Sequence, residues 1–263
     1  MNSLIQRLRR ATWSYRQPLT YKPSAEGATV SDLFVWRNSP IWETFFELTD
    51  LLSLFEESGN LSRQVTFVFF DNFGCKFLEK TFDLEQNLRF TLALSEIIGN
   101  VPSQFGTFAV FHSHTPKSIC ALGSHIAERG YISYRYRGAP LRSYVHGNLD
   151  AIARLPDLTL QMIGGRGLRL RNYNLQYDLS NHGIYELGMV NPTSKKLRIA
   201  CETLCCDGFI SSSQVVDLLP RGAHLFSVFP KHEQLRVVLT SRLIMGRPLV
   251  FLIQNQTLDV FHG

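Results

Sequence analysis

Val65–Leu92 reads VTFVFFDNFGCKFLEKTFDLEQNLRFTL, and Leu197–Val228 reads LRIACETLCCDGFISSSQVVDLLPRGAHLFSV. Each opens with a strand-sized apolar run that stops at a turn, Asp71 to Gly74 in one and Asp207-Gly208 in the other. Nine residues past that glycine both read Asp-Leu, at Asp83-Leu84 and Asp217-Leu218, and another strand-like run follows. Upstream, Phe46-Glu47-Leu48 and Tyr185-Glu186-Leu187 stand at matching places; downstream, Phe105–Phe111 and Arg247–Ile253 close the two copies. The agreement predicts an internal duplication offset by roughly 135 residues, far too long for a solenoid period.

Strand-sized runs punctuated by Asn191-Pro192-Thr193, Asp207-Gly208 and Pro220-Arg221-Gly222 predict antiparallel sheets. In Lys196–Leu204 the set Leu197, Ile199, Cys201 and Thr203 alternates with Arg198 and Glu202, so one face is core and the other wet. Val65–Phe70 is apolar at nearly every position, which predicts a central strand covered on both sides. The fold class expected is therefore mainly all-β, two tandem antiparallel β-sandwich-like domains. The boundaries read as a basic arm over 1–27, a first domain over 28–114, a connector over 115–171 and a second domain over 172–263. Within the connector, Ile119, Leu122 and Ile126 have helical spacing and Gly130 suits a C-cap, predicting a short helix. Phe45–Glu57 also fits a helix face through Leu48, Leu51, Leu52 and Phe55.

The 263 residues carry 44% hydrophobic and 19% charged residues, which excludes a largely disordered chain. A net charge of +5 favours anionic partners, but falls short of a typical nucleic-acid binder. No apolar run reaches the length of about 18 residues that a membrane-crossing helix needs. The basic start, with Arg7, Arg9, Arg10 and Arg16, reads as a frayed terminus, a transit segment or an interfacial helix bearing Leu4, Ile5 and Leu8. Five cysteines, Cys75, Cys120, Cys201, Cys205 and Cys206, form no C-x-x-C pair; this argues against a disulfide framework and for a cytoplasmic setting.

Arg129–Asn148 holds Arg129, Arg135, Arg137 and Arg142 among Tyr131, Tyr134, Tyr136 and Tyr144, with no acid inside it. On a strand Tyr134 and Tyr136 share one face, and Arg135 and Arg137 the other. Flat phenol faces with guanidinium forks suit sugars or bases bearing acidic groups. The same residues also suit a solvated face or an interdomain seam. A second basic cluster, Arg166, Arg169 and Arg171, follows Gly164-Gly165, which reads as a flexible connector.

His112 and His114 lie two apart, so an extended chain turns both imidazoles to one side. The spacing Gly106, five residues, then His112-x-His114 resembles the first half of the cupin metal motif over about nine residues. That resemblance implies a small β-barrel and a divalent transition metal. The pattern departs where the family has glutamate and this chain has Ser118 and Ile119; His146 offers a third ligand instead. Val145-His146-Gly147 and Phe261-His262-Gly263 echo one another after hydrophobic runs. Asp83 and Asp217, recurring in both copies, read as local backbone caps.

The favoured function is a non-catalytic binding or accessory protein without a cofactor. Its partner is an acidic glycan, nucleotide or phosphate-bearing group or protein taken up on the Arg/Tyr stretch, with nucleic acid less favoured. The alternatives are a cupin-like metal enzyme using His112, His114 and His146, and a structural subunit of an assembly or oligomer.

Overall fold

The computed structural model describes residues 17–55, 63–84, 89–99, 101, 103–147, 149–180, 183–230 and 234–263. The expectations for the basic arm through Arg16, for residues 56–57 and for Asn148 lie outside them. The first strands are β1 (Thr29–Asp32), β2 (Phe34–Arg37), β3 (Trp42–Thr49), β4 (Gln64–Asp71), β5 (Lys76–Asp83), β6 (Arg89–Ala93) and β7 (Phe105–His112). There follow β8 (Ala127–Glu128), β9 (Tyr131–Tyr136), β10 (Ser143–His146), β11 (Asp150–Arg154) and β12 (Leu160–Met162). The chain then forms β13 (Arg166–Asn174), β14 (Ile184–Val190), β15 (Leu197–Leu204), β16 (Ile210–Leu218), β17 (Ala223–Val228), β18 (Arg236–Leu243), β19 (Leu249–Gln254) and β20 (Thr257–His262). They assemble into five four-stranded sheets. Among the described residues, pairing is antiparallel except between β1 and β8.

The duplication is written in the strand orders. Sheet 1 runs β2-β7-β4-β5 and its counterpart, sheet 4, runs β13-β18-β15-β16. Sheet 2 runs β10-β9-β3-β6 and its counterpart, sheet 5, runs β20-β19-β14-β17. Sheet 3, β12-β11-β1-β8, has no partner in the second repeat among the described residues. The hairpin turns agree in detail: Gly74 and Gly208 adopt φ +84° and +85°. Asp71 Oδ1 accepts from the Phe73 amide, and Asp207 Oδ1 from the Phe209 amide.

The structure revises four sequence-based expectations. The counterpart of β7 is β18, not Arg247–Ile253; the latter forms β19, which matches β9. The segment 115–171 is no connector, because β9 and β10 complete sheet 2, β11 and β12 build sheet 3, and β13 already belongs to the second repeat. The helix expected to reach Gly130 is one turn, Lys117–Ala121. Gly123, at φ +65°, ends it earlier by donating its amide to the Cys120 carbonyl. Likewise Trp42–Thr49 is strand, and only Leu52–Phe55 coils.

Alternation dictates the packing. Trp42, Thr44, Phe46 and Leu48 point inward from β3, opposite Ile132, Tyr134 and Tyr136 of β9. They meet Phe34, Trp36, Phe67, Phe69 and Phe108 of sheet 1 in the first core. β4 is covered on both faces, as its unbroken apolar run predicts: Phe67 and Phe69 face sheet 2, while Val68 and Phe70 face sheet 3 through Ala151 and Ile152. In the second repeat Leu197, Ile199 and Cys201 pack on Leu187, Met189, Phe226 and Val250. Burial pushes the Cys201 thiol up to about 12, so it is an inert small apolar group.

Sheet 5 serves both cores. Its Leu187 and Val250 face sheet 4, whereas Leu249, Phe251 and Val260 enter the first core. The Phe251 ring centre lies 4.9 Å from that of Tyr134 and 5.6 Å from that of Trp42. Arg37 Nη1 donates to Glu186 Oε2 at 2.5 Å across the same junction, with its guanidinium 3.5 Å above the Trp42 ring.

Candidate functional site

The structure splits the Arg/Tyr stretch between two environments. Tyr134 and Tyr136 lie inside the first core, at 0% and 7% exposure, and the Tyr134 hydroxyl donates to the Val35 carbonyl at 2.7 Å. Sequence periodicity puts them on one face but does not reveal that this face is the buried one. Tyr131 and Tyr144 remain exposed, at 51% and 44%.

On the outer face of sheet 2, Phe45 carries two guanidinium groups, Arg142 at 4.6 Å from its ring centre and Arg135 at 5.3 Å. Arg142 also lies 5.3 Å from the Tyr144 ring. Arg135 is engaged by Glu43, whose carboxyl it holds below the usual range through their hydrogen bond. Among the described residues Arg142 has no ion pair. Arg129 binds both Asp150 oxygens at 2.9 Å, away from this cluster, and Arg137 sits at φ +50° in the turn after β9, 5.1 Å from the Tyr136 ring.

The three histidines do not converge. His112 ends β7 inside the protein, its Nε2 2.9 Å from Glu128 Oε2. Glu128 Oε1 in turn accepts from the Gly130 amide at 2.6 Å. His114 lies past the strand end, its Nδ1 3.0 Å from Ser113 Oγ. His146 stands at the end of β10, beside His262. Among the described residues no group of three or more His, Cys, Asp or Glu side chains is placed to hold a metal. The sheets are open rather than closed into a barrel, so the cupin resemblance stops at its nine residues. Asp83 and Asp217 are not backbone caps either: Asp83 accepts from Gln64 Nε2 and Asp217 pairs with Lys196, both across strands.

A concave region lies where the repeats meet, a cleft of about 80 Å³. Asp32, Val145, His146 and Gly147 of the first repeat line it, together with Met245, Arg247 and His262 of the second. Asp32 Oδ1 accepts from the Leu149 amide at 3.0 Å, while its buried Oδ2 has no partner. Burial, then the negative charge of Asp150, pushes the Asp32 carboxyl well above the usual range. His262 Nε2 donates to the His146 carbonyl at 2.7 Å, so its proton position is fixed by that bond. Burial, with Arg247 and His146 adding positive charge, holds the His262 imidazole below its ordinary value. Sequence reading named His146 as a site residue and His262 only as its echo, and it did not assign Asp32 or Arg247 to a site. The recurring His-Gly pair was the available signal: β10 and β20 are counterparts, and their final histidines meet.

No protein-family model matches the chain, and no curated protein matches it. Among solved structures the chain is similar to a beta-glucuronidase from glycoside hydrolase family 2, with 9% identity and a TM-score of 0.20. That likeness covers 92% of this chain and 24% of the other. A glycosyl hydrolase family 2 member from Bacteroides cellulosilyticus DSM 14838 gives 8% identity and a TM-score of 0.14, covering 93% of this chain and 30% of that one. The chain thus spans less than a third of the length of either, and similarity at this level carries no argument about activity.

Proposed function

We propose that the protein is a binding or accessory protein that takes an acidic glycan on the outer face of sheet 2. The observation that supports this is Arg142, which lies over Phe45 and Tyr144 and has no carboxylate partner among the described residues. Stacking holds the guanidinium plane and leaves its N–H edge for a carboxylate or sulfate, while Tyr131 and Tyr144 offer faces for a sugar ring. Glu43 and Glu47 share the face, which disfavours the continuous phosphate backbone of a nucleic acid.

The test is retention on immobilised polygalacturonate against neutral dextran. We expect salt-sensitive retention on the acidic polymer alone, weakened about tenfold by Arg142→Ala and not restored by Arg142→Lys. Retention indifferent to salt and to both substitutions overturns the reading. A structural-subunit role is favoured instead by Phe73 and Phe209, 64% and 74% exposed at equivalent hairpin tips. Mass measurement in solution decides that reading: an oligomer that dissociates on Phe73→Ser supports it, and a monomer rejects it.

A further inference from the structure

We propose that the cleft between the two repeats is a binding site for a small monocarboxylate with a short branched or aromatic body. This site is separate from the outer face of sheet 2, and three features of the cleft point to it.

The first is an orphaned pair of polar groups. Asp32 Oδ2 and Arg247 Nε are both buried and have no partner among the described residues, and both residues line the same cleft. An unpaired buried polar atom costs stability, and two around one cavity mark a place where a ligand completes the bonding. The second is that both orphans can donate when the Asp32 carboxyl is in its acid form. Arg247 is a permanent donor, and burial raises the Asp32 carboxyl, which favours the acid form whose O–H can donate. Two donors call for an acceptor, and the uncompensated charge of Arg247 selects an anionic one. An amine would meet that same cation and be repelled. The third is the apolar part of the wall, which stands beside His146 and His262. Val145, Met189, Met245, Leu243 and Leu249 are apolar, so the ligand needs an apolar body behind its head group.

Gly147 shows that Asp32 is held in place. A Cβ at Gly147 would lie 1.6 Å from Asp32 Oδ2, so only glycine leaves room for the carboxyl in this position. A buried carboxyl oxygen left unpaired among the described residues, at the wall of a cleft, is better accounted for by a ligand than by packing.

The experiment uses the full chain labelled with ¹³C at its methionine methyls, titrated with 3-methylbutanoate and, separately, with benzoate. The protein has four methionines. Met189 and Met245 line the cleft, and Met162 lies in β12 of sheet 3, packed against the cluster of Val68, Phe70 and Ile152. We expect saturable shifts of the Met189 and Met245 methyls with Met162 unmoved. The matching alcohol, 3-methylbutanol, should bind at least about tenfold more weakly, and Arg247→Gln should weaken the acid by a similar factor. Asp32→Asn keeps a neutral donor and should retain binding, whereas Asp32→Ala should lose it. Thermal melting of each variant separates lost binding from lost folding. Equal affinity for acid and alcohol, shifts that do not saturate, or shifts spread equally over Met162 overturn the proposal. Stronger binding of 3-methylbutylamine than of the acid does so as well.

Discussion

Asp32 illustrates how one side chain constrains its neighbours. Its carboxyl titrates higher in the folded chain than its ordinary value of 3.8, so its stabilising contribution is present below that pH and is lost as pH rises. Asp32→Asn should therefore gain stability over the native protein as pH goes from about 4 to about 8, read as a widening gap in urea midpoints. Gly147→Ala should cost roughly 1–3 kcal/mol by overpacking, and Asp32→Ala in the same chain should recover much of it. An additive double variant would show that the two residues do not touch. His262 has the opposite sign. Its folded value lies below the ordinary 6.5, so its contribution is present above that pH and is lost on acidification; His125 and His224 are shifted the same way. Melting temperature should fall below about pH 6.5, less steeply in His262→Gln.

The hairpins β4–β5 and β15–β16 provide an internal control. Gly74 and Gly208 hold the same turn position at nearly the same positive φ. A Cβ at Gly208 would meet nothing within 4 Å, but one at Gly74 would lie 2.1 Å from the Pro220 carbonyl. Gly208→Ala should thus cost only the backbone term, about 1–2 kcal/mol. Gly74→Ala should cost clearly more, since the turn must also leave Pro220-Arg221-Gly222; denaturant midpoints of the two variants compare them directly. These hairpins were legible in the sequence because an Asp–Gly turn between apolar runs fixes local geometry. The strand character of Val65–Phe70 and Lys196–Leu204 was legible for the same reason, through alternation or its absence. Period alone did not tell that Tyr134 and Tyr136 face a core, because that depends on what the second repeat lays over them. The helix overshot because Gly123 and Gly130 are equally good stops on paper, and hydrogen bonding chose the first.

In the whole molecule, the two repeats are held as one body by Phe251 seated against Trp42 and Tyr134 and by the Arg37–Glu186 pair. Glu186→Ala leaves the Arg37 charge buried without its partner and should cost about 3 kcal/mol, seen as a lower melting temperature. Unfolding should be a single transition by circular dichroism and tryptophan fluorescence together, because sheet 5 contributes to both cores. The cleft was illegible in the sequence for a related reason. Its polar members lie more than two hundred residues apart, at Asp32 and Arg247, and only the doubling of the strand order brings them together.

The meeting of β10 and β20 has a consequence of its own. These are homologous rims, and each stoppers the other through Ser143 Oγ, which accepts the Val260 amide, and through His262 on the His146 carbonyl. A first half cut free of the second would show an unplugged rim that already knows how to receive its twin. Such a fragment should self-associate rim to rim, forming a symmetric couple that mimics the intact chain.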